Sequence, residues 1–194
     1  MAANPLPDDM HGVPMTEEAF ERLVSGENPY RYELIDGIVY DMTGSTPEHG
    51  DIVGNIFSMI HTHLRRYGSC KVYQDQYVTI PGKPPVVPDV VVTCNQDDWD
   101  KNKRARPFKI RSPRIVVEVL SPSTERYDRE EKFARYRNCA SLEVYILVSQ
   151  DEPYVEVYRR ETGWRQERFS EGQIIRLDQI NLELPIVSIY EGIW

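Results

Sequence analysis

The chain has 194 residues, of which 40% are apolar and 28% charged, the balance of one soluble globular domain with a substantial core. No apolar run approaches the roughly 20 residues of a membrane helix. A net charge of -8 excludes broad electrostatic attraction to nucleic acid, so any such contact needs a local basic patch.

The opening "MAANPLPDDMHGVP" has neither a basic nor an apolar region of the secretion type and reads as a flexible tail over residues 1–14. One domain is expected over 15–194, with a cytoplasmic location. "MTEEAFERLVSG" predicts a first helix capped by Thr16, with Phe20, Leu23 and Val24 as its apolar stripe. "YRYELIDGIVYDM" predicts a hairpin turning at Asp36-Gly37. "PEHGDIVGNIFSMIHTHLRRYG" is amphipathic, with Ile52, Val53, Ile56, Ile60 and Leu64 at helical spacing and Gly68 as its stop.

Two strands, "CKVYQDQYVTI" and "VVPDVVVT", are expected on either side of "PGKPP", read as a tight polar connection. "RIVVEVLS" is β-branched throughout, as in the centre of a sheet. A helix follows in "PSTERYDREEKFARYRN", where Asp128 and Glu131 resemble a capping box that puts Lys132 in the first turns. "LEVYILVS" is the next strand, and "YVEVYRRETGWRQERF" a hairpin turning at Thr162-Gly163. The last stretch alternates through "IIRL" and "LELPI" toward a short end. This order predicts an α/β sandwich: a central mixed β-sheet flanked by helices, with extra β-hairpins. Cys70, Cys94 and Cys139 are widely spaced and odd in number, and read as small buried residues of a reducing compartment.

Two carboxylates break the apolar strands. Glu118 shares one face of its strand with Val116 and Leu120, near the strand's C-terminal end, where ligands bind in open α/β sheets. Asp89 follows Pro88, which lacks a backbone donor and marks a strand start, bulge or edge. Two such acids close together repel unless a cation sits between them, and a hard divalent ion would resolve the conflict. Separate arginine pairs are the plainer alternative. Lys132 leans back along its helix toward the strand end and shares a face with Asp128 and Tyr136. It reads either as half of a surface pair or as an ammonium that orients a metal-bound water or stabilises a phosphate.

"YELIDG", "PEHG", "VPDVVVT", "VVEVLSPST", "YDREEKFARYRN" and "LEVYILVSQ", in that order, resemble the Uma-two family of bacterial endonucleases, within the PD-(D/E)XK or restriction-endonuclease-like superfamily. The resemblance runs from about Met15 to Trp194. It implies that fold and a Mg²⁺ site, with Mn²⁺ as substitute, built from Asp89, Glu118 and the carbonyl of Val119. Glu33 matches an acid that relatives contribute from the first elements and would assist as a further ligand of the ion, although it could equally be a charge on the sheet surface. His49 matches a histidine at the start of the second helix, where reaching the site and merely packing are equally open. The superfamily's Glu-x-Lys would put lysine at position 120, where Leu120 stands. Lys132 on the following helix takes that place.

"DKNKRARPFKIRSPR" joins the Asp89 and Glu118 strands and carries Lys101, Lys103, Arg104, Arg106, Lys109, Arg111 and Arg114. It could grip phosphates, or be a solvated loop. The expected function is a metal-dependent endonuclease acting on DNA. The alternatives are a nucleic-acid-binding module on the same fold and, further off, a carboxylate-pair sugar hydrolase. A homodimer would suit a nuclease that cuts both strands, and the apolar end "IVSIYEGIW" offers either an interface or a last piece of core.

Overall fold

A computed structural model of the chain describes residues 11–26, 30–42, 45–105 and 108–193. Most of the tail expected at 1–14, and Arg106 of the basic loop, lie outside the described residues. Helix α1 (Glu17–Ser25) starts at Thr16, whose hydroxyl accepts from Ala19 N, and it buries Phe20 and Val24. Strands β1 (Tyr32–Ile35) and β2 (Ile38–Asp41) form the expected hairpin. Both turn residues, Asp36 and Gly37, have positive φ, as the tightest hairpin turn requires. Residues 12–14 run along β2, with Gly12 N donating to Val39 O and Val39 N donating to Val13 O.

Helix α2 (Pro47–Tyr67) has Thr46 as its N-cap and ends at Gly68. All five residues of its predicted stripe are buried. At about 1.5–3 kcal/mol for each fully buried aliphatic side chain, that stripe is what holds α2 against the sheet.

The main sheet has six strands in the order β10-β9-β8-β7-β6-β3: β3 (Lys71–Gln74), β6 (Val90–Thr93), β7 (Pro113–Leu120), β8 (Val144–Ser149), β9 (Tyr154–Arg159) and β10 (Gln166–Ser170). Only β7 and β8 run parallel, so the sheet is mixed as expected. Their crossover carries helix α3, built from an α-helical start (Glu125–Tyr127), a π-helical stretch (Asp128–Lys132) and an α-helical end (Phe133–Tyr136). Alternation along β7 feeds two cores. Val117 and Val119 pack with the α2 stripe, while Val116 and Leu120 pack with Phe133 and Tyr136 of α3. Two further hairpins, β4 (Val78–Ile80) with β5 (Lys83–Val86) and β11 (Ile174–Leu177) with β12 (Leu182–Pro185), cover opposite faces, and α4 (Ile186–Ile189) closes the end.

Four local expectations are corrected. "PGKPP" is not only a connection, because Lys83–Val86 pairs with β4, and its two prolines sit on a two-stranded hairpin that tolerates missing donors. "CKVYQDQYVTI" is two strands, interrupted near Asp75, whose φ is 51°. Asp128 does not cap its helix: the helix begins three residues earlier, and Asp128 is a helical residue 3% exposed. Cys70 and Cys94 are joined as a disulfide, because Lys71 faces Thr93 in the β3–β6 register and the two cysteines flank that pair. Cys139 is free and buried. No helix among the described residues is long and apolar enough to cross a membrane.

Candidate active site

Strand register brings the two acids together. Val90 faces Val117 across β6 and β7, so Asp89, one residue before β6, falls opposite Glu118. Val90 and Val92 share the α2 face of β6, which turns Asp89 toward the α3 face, where alternation also points Glu118. Asp89 Oδ2 accepts a hydrogen bond from Val119 N at 2.6 Å and lies 3.4 Å from His49 Nε2. His49 enters from the first turn of α2, and Thr46 Oγ1 accepts from its backbone N–H. Burial works against protonation of this imidazole, but the Asp89 carboxylate and the Val119 carbonyl outweigh it and raise its pKa.

Behind Glu118 is a buried lysine. Lys132 is 1% exposed, with its Nζ 3.0 Å from Glu118 Oε1, 3.1 Å from Glu33 Oε1 and 3.5 Å from Asp128 Oδ1. Its Nζ also donates to Val87 O at 3.0 Å, and Val87 N donates to Glu33 Oε1 at 2.7 Å. Both backbone groups of Val87, two residues before Asp89, thus fix Glu33 and the lysine. The π-helical stretch between Asp128 and Lys132 widens one turn of α3 at this place, a feature that recurs at functional sites. Leu120, where the superfamily's name puts lysine, packs in the α3-side core.

The charges do not balance. Three carboxylates surround one ammonium, and an unpaired buried charge costs several kcal/mol. Burial first, then Asp128, Asp89 and Glu33, push the Glu118 carboxyl well above the usual range, with Lys132 opposing. Burial disfavours the Lys132 ammonium, but Glu118, Glu33 and Asp128 overcome it and raise its pKa, so it stays charged. Burial pushes Asp128 up to about 6, with Lys132 and the Thr124 hydroxyl opposing.

A raised carboxyl pKa gives stability that is complete below the unfolded value and lost as pH rises through the folded one. Asp128→Asn, which fixes the neutral form, is therefore expected to match the wild-type Tm in acid. It should melt progressively higher than wild type as pH rises through about 6 in EDTA. A Tm difference independent of pH would show that Asp128 is not the titrating group.

The site opens on a cavity of about 730 Å³ lined by Asp89, Glu118, Val119, His49 and Lys132, by Asp128 of α3 and Thr124 just before it, and by Arg31 and Asp75. Glu33 is fully buried behind Lys132 and does not line it. Among the described residues no three His, Cys, Asp or Glu side chains gather as an all-protein metal cage. The donors do fit a hard ion that keeps several waters, since Asp89 and Glu118 both line the cavity from opposed positions of adjacent strands. Asp98 makes the contrast. Equally buried, it accepts from Thr93 Oγ1, Arg111 N and Ser112 N, and so is fully satisfied as a structural acid.

None of the described basic-loop residues lines the cavity. Lys103 pairs with Asp97, Lys109 with Glu21, and Arg111 donates to the carbonyls of Asp97 and Lys103. Arg104 lies over the Phe108 ring. These charges pin the loop to itself and to α1. Sequence reasoning missed Arg31 and Asp75, which reach the cavity only through tertiary closure and carry no local signal.

Two acids at the ends of adjacent central strands, backed by a lysine from the following helix, place this α/β sandwich among nuclease-like folds. Residues 17–186 match the model of the Uma2 family, described as "Putative restriction endonuclease", and the chain belongs to that family. It is 32% identical to "Uncharacterized protein slr1290" of Synechocystis sp. over 84% of this chain and 85% of that one. A second Synechocystis protein, "Uncharacterized protein sll1609", is 26% identical over 69% and 74%. The fold matches a crystal structure of a "putative nuclease belonging to DUF820" from Anabaena variabilis, with a TM-score of 0.71 and 21% identity over 91% of this chain and 98% of that one.

Proposed function

We propose that the protein is a metal-dependent endonuclease that hydrolyses phosphodiester bonds of DNA, with Mg²⁺ as the ion and Mn²⁺ as a substitute. The observation that carries this reading is the register-opposed pair Asp89 and Glu118 on the cavity wall, with the Lys132 ammonium 3.0 Å from Glu118. Asp89, Glu118 and the Val119 carbonyl would hold the ion. When bound, it supplies charge neutralisation at the phosphate and a water of lowered pKa. Lys132, kept protonated by its acids, cannot act as a base. Its fixed positive charge stabilises the anionic phosphate as negative charge builds there. Glu33 takes the role of positioning residue: it holds Lys132 from behind and leaves the cavity wall to the other two acids. His49 steadies Asp89 through the 3.4 Å contact.

Nicking of a supercoiled plasmid that needs added Mg²⁺ or Mn²⁺ and stops in EDTA is the expected outcome. A second reading, a nucleic-acid-binding module that does not cleave, is favoured by one feature: the only lysine among the described residues at the site is already surrounded by three carboxylates. It predicts DNA binding that persists in EDTA, with no nicking in either metal.

A further inference from the structure

Five acids line the cavity, Asp41, Asp75, Asp89, Glu118 and Asp128, against three cationic side chains, Arg31, His49 and Lys132. Lys132 is committed to its buried carboxylates and His49 to Asp89. Arg31 is different. It stands half-buried where the chain enters β1, and its backbone carbonyl accepts from Met42 N, which fixes the hairpin end beside the cavity. Its Nε donates to the backbone carbonyl of Asp75 at 2.9 Å, and it forms no ion pair with a described carboxylate. Asp75 holds that carbonyl in place with a φ of 51°, in the left-handed region that a residue with a side chain seldom adopts. A neutral backbone acceptor orients the guanidinium, whose charge also acts on the nearby Asp75 carboxyl without closing an ion pair with it.

An acidic cavity repels a polyanion, so a phosphodiester needs a cation at its entrance as well as one at its floor. We propose that Arg31 is the phosphate-binding residue of this cleft, gripping the nucleic-acid backbone beside the bond that is cut. The guanidinium suits the task, because its planar fork of donors matches two phosphate oxygens at once. The inference rests on the nuclease reading and adds the residue by which the substrate is held.

The test is fluorescence anisotropy of a short labelled DNA duplex in Ca²⁺ across a salt series, with wild type, Arg31→Gln and Arg31→Lys. Each variant is first checked for unchanged thermal unfolding. Losing one charge-assisted phosphate contact lowers affinity by about 10- to 100-fold in Arg31→Gln. It also lowers the slope of log K against log salt by about 0.9, the value of one phosphate. Arg31→Lys keeps the slope and loses part of the affinity, since the charge stays but the fork does not. Wild-type affinity and slope in Arg31→Gln overturn the proposal while leaving the nuclease reading intact. So does weaker binding with an unchanged slope, which would make Arg31 a shaper of the cleft that touches no phosphate. A wild-type protein that neither binds nor nicks the duplex overturns both.

Discussion

Lys132→Met is expected to destabilise the protein more than any other single change at the site. Among the described residues the lysine is the one cation paired with Glu33, Glu118 and Asp128, all of them 3% exposed or less. Removing one partner of a buried charge group costs about 3–5 kcal/mol, because the remaining charges lose their counterion without regaining water. For a chain of this size that is a fall in Tm of roughly 6–20 °C. Methionine keeps the length of the stem, so the loss reports charge and the Val87 hydrogen bond rather than volume. The double variant Lys132→Met/Glu118→Gln should recover part of the loss, since one uncompensated carboxylate has gone. A single variant that melts with the wild type, in EDTA at neutral pH, would mean the acids are protonated and the lysine was never their counterion.

Glu118→Gln and Asp89→Asn should do the opposite: abolish function and spare the fold. Burial and the neighbouring acids disfavour a charge on Glu118, and its amide analogue removes that cost while filling the same space. The expected Tm in EDTA is equal to or above that of the wild type, as at sites where strain or charge serves function at the expense of stability. Calorimetric titration with Mn²⁺ should show heat of binding in the wild type and little in either variant. The rate of cleavage should fall by at least about 100-fold, given that a bound metal is worth several kcal/mol of transition-state stabilisation. A Glu118→Gln protein that unfolds early and still binds metal would reverse the two roles, making Glu118 a structural partner of Lys132.

The legible part of this molecule is the part that periodicity governs. Alternation in "RIVVEVL" alone put Glu118 on the face opposite Val117 and Val119, and the structure sends those two valines to α2 and the acid toward α3. Pro88 left a strand start, a bulge or an edge open at Asp89, and β6 begins just after it, at Val90. The lysine's helix was legible, but its start was not. Asp128 and Glu131 imitate a capping box, whereas burial of Asp128 beside Lys132 is a tertiary matter that local pattern does not encode. The cysteines failed for a similar reason: a separation of 24 residues says nothing about pairing until the β3–β6 register is known. The partners of the basic loop were not legible, since a run of charge in sequence does not show that Asp97, Asp98 and Glu21 lie against it. Arg31 gave no signal because its role depends on one carbonyl, that of Asp75, 44 residues away.

The most direct measurement is plasmid nicking by wild type and Glu118→Gln side by side, each with Mg²⁺, with Mn²⁺ and with EDTA. Metal-dependent nicking by the wild type that is lost in the variant, with both proteins folded, is the predicted result. Equal nicking by the two proteins, or nicking that continues in EDTA, would contradict a metal site built on Asp89 and Glu118.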